Sequence, residues 1–240
     1  MRIALIGYGK MGKTIEDIAI SRGHTIVGKS NRENPISTLD FSNIDVAIEF
    51  TAPKLAKKHI EHCVDKKTPV IVGTTAWNNQ LPEVKDYVLK NNGALLHASN
   101  FSIGVNIFFD INKRLAKLMS NTPEYKPSIE EIHHLEKLDA PSGTAVSLAN
   151  DLMLENNSYT SWVHSENTTP DTLDNQIAVS SFREDGIPGT HKVSYESEID
   201  LLEIKHTAKN RQGFALGAVI AAEWITDKKG VFTMQDVIKL

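Results

Sequence analysis

The sequence predicts an α/β protein: a doubly wound parallel sheet in the N-terminal part, then a central α+β domain with an open sheet. Three observations carry that expectation. An apolar run at the start, RIALI, feeds the glycine turn GYGKMG. Strand-like and helix-like stretches then alternate through the first hundred or so residues. From Asn106 the alternation gives way to helices and then to successive strand-like runs.

RIALIGYG has the continuous apolar character of a strand buried on both faces of a parallel sheet. Lys13 to Ser21 places Ile15, Ile18 and Ala19 at helical spacing. HTIVGKS is a second strand and DVAIEFT, from Asp45 to Thr51, a third. The helical stretch KLAKKHIEHCVDKK leads to a fourth strand, PVIVGTT, and LPEVKDYVLKNN leads to a fifth, GALLHAS. NIFFDINKRLAKLM reads as a long amphipathic helix, SIEEIHHL as a strand anchored by Ile129 and Ile132, and GTAVSLANDLML as a helix. The stretch ENNSYTSWVHSENTTPDTLDNQ reads as a polar loop. IAVSSFRED, THKVSYESE and IDLLEIKHTA are strands, and the tail FALGAVIAAEWITDKKGVFTMQDVI returns to helix.

Composition narrows the function. With 240 residues, 40% hydrophobic and 23% charged, the chain sits in the globular range. A net charge of -4 and a pI near 6.1 leave no basic footprint for nucleic acid, so the expected partners are small molecules or further copies of the chain. The single cysteine, Cys63, excludes an internal disulfide and a cysteine-built zinc site. No apolar run is long enough for a membrane span, and the N-terminus lacks a secretory pattern, so a cytoplasmic location is expected.

GYGKMG sets Gly7, Gly9 and Gly12 in the G-x-G-x-x-G spacing, directly after a strand and opening a helix. The first glycine permits the tight turn, the second lets backbone approach a pyrophosphate, and the third lets helix pack on strand. Gly7, Tyr8, Gly9, Lys10, Met11 and Gly12 are therefore expected to hold a dinucleotide. An NAD-type site has an acidic residue at the end of the second strand, whereas this chain has Lys29, Ser30 and Arg32. A cation there suits a 2′-phosphate, which favours NADPH, while Glu33 keeps NADH possible. Two further loops, Gly73-Thr74-Thr75 and Ala98-Ser99-Asn100-Phe101, follow the fourth and fifth strands, where ligands collect in such sheets.

The densest chemistry lies in EEIHHLEKLDAPSGT, Glu130 to Thr144. As a strand, the segment sends His133 and His134 to opposite sides; as a helix, it puts His133 and Lys137 on one face. Either way an imidazole and an ammonium can converge, suited to proton transfer and anion binding. Ser142 or Thr144 can cap the following helix, and the N–H groups of Gly143 and Thr144 can face a carboxylate. Adjacent histidines chelate one ion poorly and no third ligand stands out nearby, so no metal is expected.

These motifs together carry a resemblance. GYGKMG, EFTAP, VGTT, SNFSIGVN, EIHHLEKLDAPSGTA, GIPGTHKV and IKHTAKNRQGFALGAV occur in the order found in the dihydrodipicolinate reductase family, also called 4-hydroxy-tetrahydrodipicolinate reductase, of bacterial lysine biosynthesis. The resemblance covers nearly the whole chain, and HHLEKLDAPSGT is its specific part. It implies a Rossmann domain over 1–104, completed by 214–240, and a substrate-binding and oligomerisation domain with a mixed sheet over 105–213, assembled as a homotetramer. It implies NAD(P)H-dependent reduction of a cyclic dicarboxylate, with the nicotinamide held by Gly73–Thr75 and Ala98–Phe101. His133 matches the family's proton donor/acceptor and Lys137 its proton donor. His134, Gly143 and Thr144 match positions that bind the substrate carboxylates. Tyr8 and Lys29 depart from what many members carry.

Two other readings compete. A related amino-acid or semialdehyde dehydrogenase keeps the fold, but a semialdehyde enzyme needs a nucleophilic cysteine and Cys63 lies mid-helix. A nucleotide-sensing protein without catalysis would have no use for His133 and Lys137.

Overall fold

In β1 (Arg2–Ile6), Ile3 and Leu5 face one side of the sheet and Ala4 and Ile6 the other, and all four are buried. A strand sealed on both sides requires helices on both faces. The computed structural model describes residues 1–210 and 212–239. Arg211, within the IKHTAKNRQGFALGAV motif, and Leu240, the end of the segment expected to complete the first domain, lie outside the described residues.

The chain divides into two compact units, one of residues 1–103 with the C-terminal segment from Gln212, the other from Gly104 to the junction. In the first, β1 leads to α1 (Lys10–Ser21), β2 (Thr25–Ser30), β3 (Val46–Glu49), α2 (Pro53–Asp65), β4 (Val70–Val72), α3 (Leu81–Lys90) and β5 (Ala94–His97). α2 and α3 cover the face that carries Ala4, Ile6, Ala47, Val70 and Val72.

The second unit opens with α4 (Ile103–Met119), followed by β6 (Lys126–His133), α5 (Gly143–Glu155), β7 (Ser161–Glu166), β8 (Gln176–Arg183), β9 (Gly189–Glu196) and β10 (Leu201–Ala208). Its five strands lie in the order β10-β9-β6-β8-β7. β6 runs parallel to β8 and antiparallel to β9, giving the mixed open sheet. Ile129, Ile177, Val179, Val193 and Tyr195 meet Phe108 and Ala116 of α4 and Ala145, Leu148 and Leu152 of α5 on one face.

The chain then returns to the first unit through α6 (Gln212–Ile225), β11 (Gly230–Phe232) and α7 (Met234–Ile238). α6 joins α1 over the face that carries Ile3, Leu5, Val46, Ile48 and Leu96. The first sheet has six strands, all parallel, in the order β11-β5-β4-β3-β1-β2, so the order reverses at β1 and the sheet is doubly wound.

Three expectations are corrected. The polar stretch 155–176 contains a strand, β7, whose half-buried SWVHSE pairs on one side only, with β8. An edge strand needs no apolar face strong enough to be read as alternation. The tail is not continuous helix: Gly230–Phe232 adds a sixth strand beside β5. Three residues are too few to show a period of two. The first helix also starts at Lys10 rather than Lys13.

Candidate active site

Every parallel strand of the first sheet ends on the same edge, and the glycine turns follow those ends. Gly7 sits at φ +100, and a Cβ there would stand 2.0 Å from the carbonyl oxygen of Phe50. At Gly12 a Cβ would meet the Gly7 carbonyl oxygen at 2.6 Å, so the turn closes on the helix only with glycine at both places. Gly9 differs. It is the N-cap of α1, makes no side-chain cap, and has nothing within 4 Å of where a Cβ would stand. Bare N–H groups at an open helix start are what a pyrophosphate needs.

Beside this turn, at the reversal of strand order, lies a cavity of about 530 Å³. Its lining includes Gly7, Tyr8, Ser30, Asn31, Arg32, Ser37, Thr51, Leu55 and His59. Lys29 is not part of it. Its ammonium pairs with Glu16 at 2.7 Å, lies 3.3 Å from the Tyr8 hydroxyl and stacks over the Tyr8 ring. Tyr8 in turn donates to Glu16. Lys29 and Tyr8 thus form a closed group with Glu16, and the cations on the cavity wall are Arg32, in the loop after β2, and Lys58, on α2.

The other first-unit candidates are structural as well as edge-placed. A Cβ on Gly73 would stand 2.1 Å from the Phe50 ring. The Thr74 hydroxyl accepts from Thr51 N at 2.7 Å and its carbonyl accepts from the Trp77 indole at 2.7 Å, while Thr75 is exposed. Ala98 to Phe101 follows β5; Ala98 N donates to the Val72 carbonyl, Ser99 is exposed, Asn100 Oδ1 accepts from Ser102 N, and Phe101 is buried. Lys10 and Met11 open α1, with Met11 packed on the core.

In the second unit, β6 settles the open question over Glu130 to Leu138: it is a strand as far as His133 and a turn beyond. Ile129, Glu131 and His133 share the helix-covered face, which changes from apolar to charged towards the strand's end. Register supplies the neighbours. Glu131 lies opposite His191 on one side and Ser181 on the other, and His133 lies opposite Arg183.

Glu131 is fully buried and accepts from Ser142 N at 3.0 and 3.1 Å and from the Ser181 hydroxyl at 2.7 Å. His191 lies 3.5 Å from its other oxygen and Arg183 3.7 Å from its first. Burial alone would raise its carboxyl; hydrogen bonds from His191, Ser142 and Ser181 outweigh that and hold it down to about 2. Burial pushes the His133 imidazole the other way from its ordinary value, down to about 4. Glu131 opposes that fall, while His191, Lys137 and Arg183 add to it.

Beyond the strand, Lys137 N donates to the His134 carbonyl and its ammonium pairs with both Asp139 oxygens, at 2.7 and 2.8 Å. Arg183 steadies this loop through the carbonyls of Lys137 and Asp139. Ser142 is the cap of α5, its hydroxyl accepting from Ala145 N, and Gly143 has open space around it. Thr144 follows in the first turn of that helix. His134 instead lines a cavity of about 290 Å³ with Gly186, Ile187, Pro188, Lys209 and Asn210.

The sequence reading missed Glu131, Ser181, Arg183 and His191. The signal for Glu131 was its spacing of two from His133 on a strand; the others come from β8 and β9 and are set by register. Glu131, His133 and His191 also bring three ligand-type atoms within 4.8 Å of one another, a grouping the sequence did not show. Cys63 is buried in α2, which raises its thiol and removes it as a nucleophile.

Comparison with known proteins gives a consistent picture. The family described as dihydrodipicolinate reductase, N-terminus, matches residues 1–101, and the C-terminus model matches residues 104–238. The chain is 48% identical to a 4-hydroxy-tetrahydrodipicolinate reductase of Christiangramia forsetii, over 99% of this chain and 98% of that protein. A protein of the same name from Thermosipho africanus is 34% identical over 100% of this chain and 98% of its own length. Among solved structures, a dipicolinate-bound dihydrodipicolinate reductase from Paenisporosarcina shares the fold, with a TM-score of 0.75, 22% identity, and 98% of both chains covered.

Proposed function

The chain belongs to the dihydrodipicolinate reductase family, and we propose from that premise how its site reduces 4-hydroxy-tetrahydrodipicolinate to tetrahydrodipicolinate in lysine and diaminopimelate biosynthesis. It is an NAD(P)H-dependent oxidoreductase. The observation that carries the site reading is one strand end that brings buried His133 beside a fixed carboxylate, a lysine loop and an open helix start.

When bound, the nucleotide supplies hydride. The bare N–H groups around Gly9 hold the pyrophosphate, and the turns at Gly73–Thr75 and Ala98–Phe101 position the nicotinamide. NADPH is the preferred form in this reading: Arg32, with Ser30 and Asn31, meets the ribose phosphate, while Lys29 acts on it only through Tyr8.

His134 and the N–H groups of Gly143 and Thr144 take the substrate carboxylates, so the small-molecule partner is a dicarboxylate. Loss of the 4-hydroxyl as water gives the substrate a conjugated C=N/C=C system, and hydride addition to that system leaves negative charge that a proton must quench. The dianion raises the proton affinity of nearby His133, turning an imidazole that is neutral in the free protein into an acid. Lys137 delivers or relays the proton from the adjoining turn.

The protein is further proposed to act as a homotetramer in the cytoplasm. Edge strand β10 and the turn before it leave Ile199, Leu201 and Leu202 exposed, apolar surface of the kind copies bury against one another. No helix among the described residues is long and apolar enough to cross a membrane. Oxidation of NADPH and NADH, run in parallel with freshly generated 4-hydroxy-tetrahydrodipicolinate, tests the reading. Substrate-dependent oxidation, faster with NADPH, is expected; equal rates with both nucleotides would remove the role given to Arg32.

A further inference from the structure

His133 has two ring nitrogens in unlike surroundings. Nδ1 is buried, has no hydrogen-bond partner among the described residues, and lies 3.6 Å from Glu131 Oε2. Nε2 faces Gly189, where a Cβ would stand 3.0 Å away, so the glycine leaves that nitrogen room. A buried polar atom without a partner calls for a physical account.

We propose that Glu131 is a positioning residue: its carboxylate keeps the imidazole proton on Nδ1 and so leaves Nε2 to exchange a proton with the reacting molecule. The inference rests on the proton-transfer role given to His133 above. Electrostatics supports it directly. A negative charge beside Nδ1 stabilises the tautomer with hydrogen there, and it stabilises the imidazolium once Nε2 gains a proton. The 3.6 Å gap closes to hydrogen-bond length with a small ring rotation.

Glu131 is suited to this because it is itself held. Ser142 N and the Ser181 hydroxyl fix its oxygens, and Arg183 and His191 keep it anionic in a buried place. The groups facing His133 are thus Glu131 on its own strand, Arg183 on β8, His191 on β9 and Lys137 on the following turn. Only Glu131 carries negative charge. A purely architectural Glu131 would serve the Ser142 loop alone, and Glu131→Gln separates the roles, since the amide oxygen can still accept from Ser142 while its NH₂ group donates towards Nδ1.

The experiment is ¹⁵N NMR of the His133 ring at neutral pH, assigned with a His133 variant, together with steady-state kinetics. Wild type is expected to carry hydrogen on Nδ1 and Glu131→Gln on Nε2. The same variant is expected to lose roughly 10–100-fold in kcat with KM and NADPH affinity little changed. A tautomer unmoved by the substitution overturns the proposal, and so does a moved tautomer with kcat within about twofold of wild type. Should Glu131→Gln not fold, Glu131→Asp keeps the charge and must keep Nδ1–H; a shift to Nε2–H would contradict the proposal. The tautomer readout needs no turnover, so failure of the reductase reading shows separately, as a wild type without activity.

Discussion

His133 is neutral at pH 7 in the free protein because it is 7% exposed and its environment makes charging costly. A dianion bound as proposed would reverse that balance, so binding a dicarboxylate analogue near pH 6 should take up close to one proton. Calorimetry in buffers of different ionisation enthalpy reads this, and binding without proton exchange would place the anion away from His133. The same burial shapes acid stability. The folded value, about 4, lies below the unfolded 6.5, so the unfolded chain binds more protons and stability falls as pH drops through that window. The unfolding free energy of wild type should fall relative to His133→Gln by about 3 kcal/mol across it. A constant difference in urea unfolding would mean that His133 is solvated. Cofactor choice is also a matter of single residues: Arg32→Ala should weaken NADPH much more than NADH, and Lys29→Ala less so, as measured by direct binding. An equal loss of both nucleotides on Arg32→Ala would mean the guanidinium supports the loop only. His133 and Lys137 were legible as candidates in the sequence because local spacing put them near a turn, whereas the sequence pointed to Lys29 as the cofactor's cation and the cavity carries Arg32 and Lys58 instead. Glu131's partners were not, since Ser181 and His191 reach it only through the pairing of β6 with β8 and β9.

At the scale of elements, the link from β6 to α5 ties the proposed proton-transfer residue to the proposed anion site. Ser142 caps the helix, its N–H binds Glu131 and its hydroxyl lies 3.0 Å from His191. Its Asp-Ala-Pro-Ser-Gly-Thr sequence announced a turn and a cap, which the structure bears out at Ser142. α6 shows the opposite case. Gly217 sits inside a helix, where alanine would ordinarily gain about 1 kcal/mol. Here a Cβ would stand 1.7 Å from the Phe101 carbonyl oxygen, so close approach wins over propensity. Gly217→Ala should therefore destabilise by roughly 1–3 kcal/mol in denaturant unfolding. Equal or greater stability would show that α6 does not pack so tightly on the loop after β5. Nothing in FALGAVIAAEW reveals that contact, because its cause lies more than a hundred positions away in the chain.

For the whole molecule, the parallel sheet was readable because its inner strands β1, β3, β4 and β5 are buried on both faces and its strands alternate with helices. The strands β7 and β11 escaped because one is a half-exposed edge and the other has three residues. The candidate nucleotide turns belong to the first unit and the His133 to Thr144 segment to the second. The most direct test measures NADPH oxidation with freshly generated 4-hydroxy-tetrahydrodipicolinate for wild type and His133→Ala, at saturating nucleotide whose affinity is determined independently. Substrate-dependent oxidation by wild type is expected, with a fall of about 10²–10⁴-fold in the variant and unchanged NADPH binding. A variant that turns over at the wild-type rate, or a wild type that binds NADPH yet leaves this substrate unreduced, would contradict that expectation.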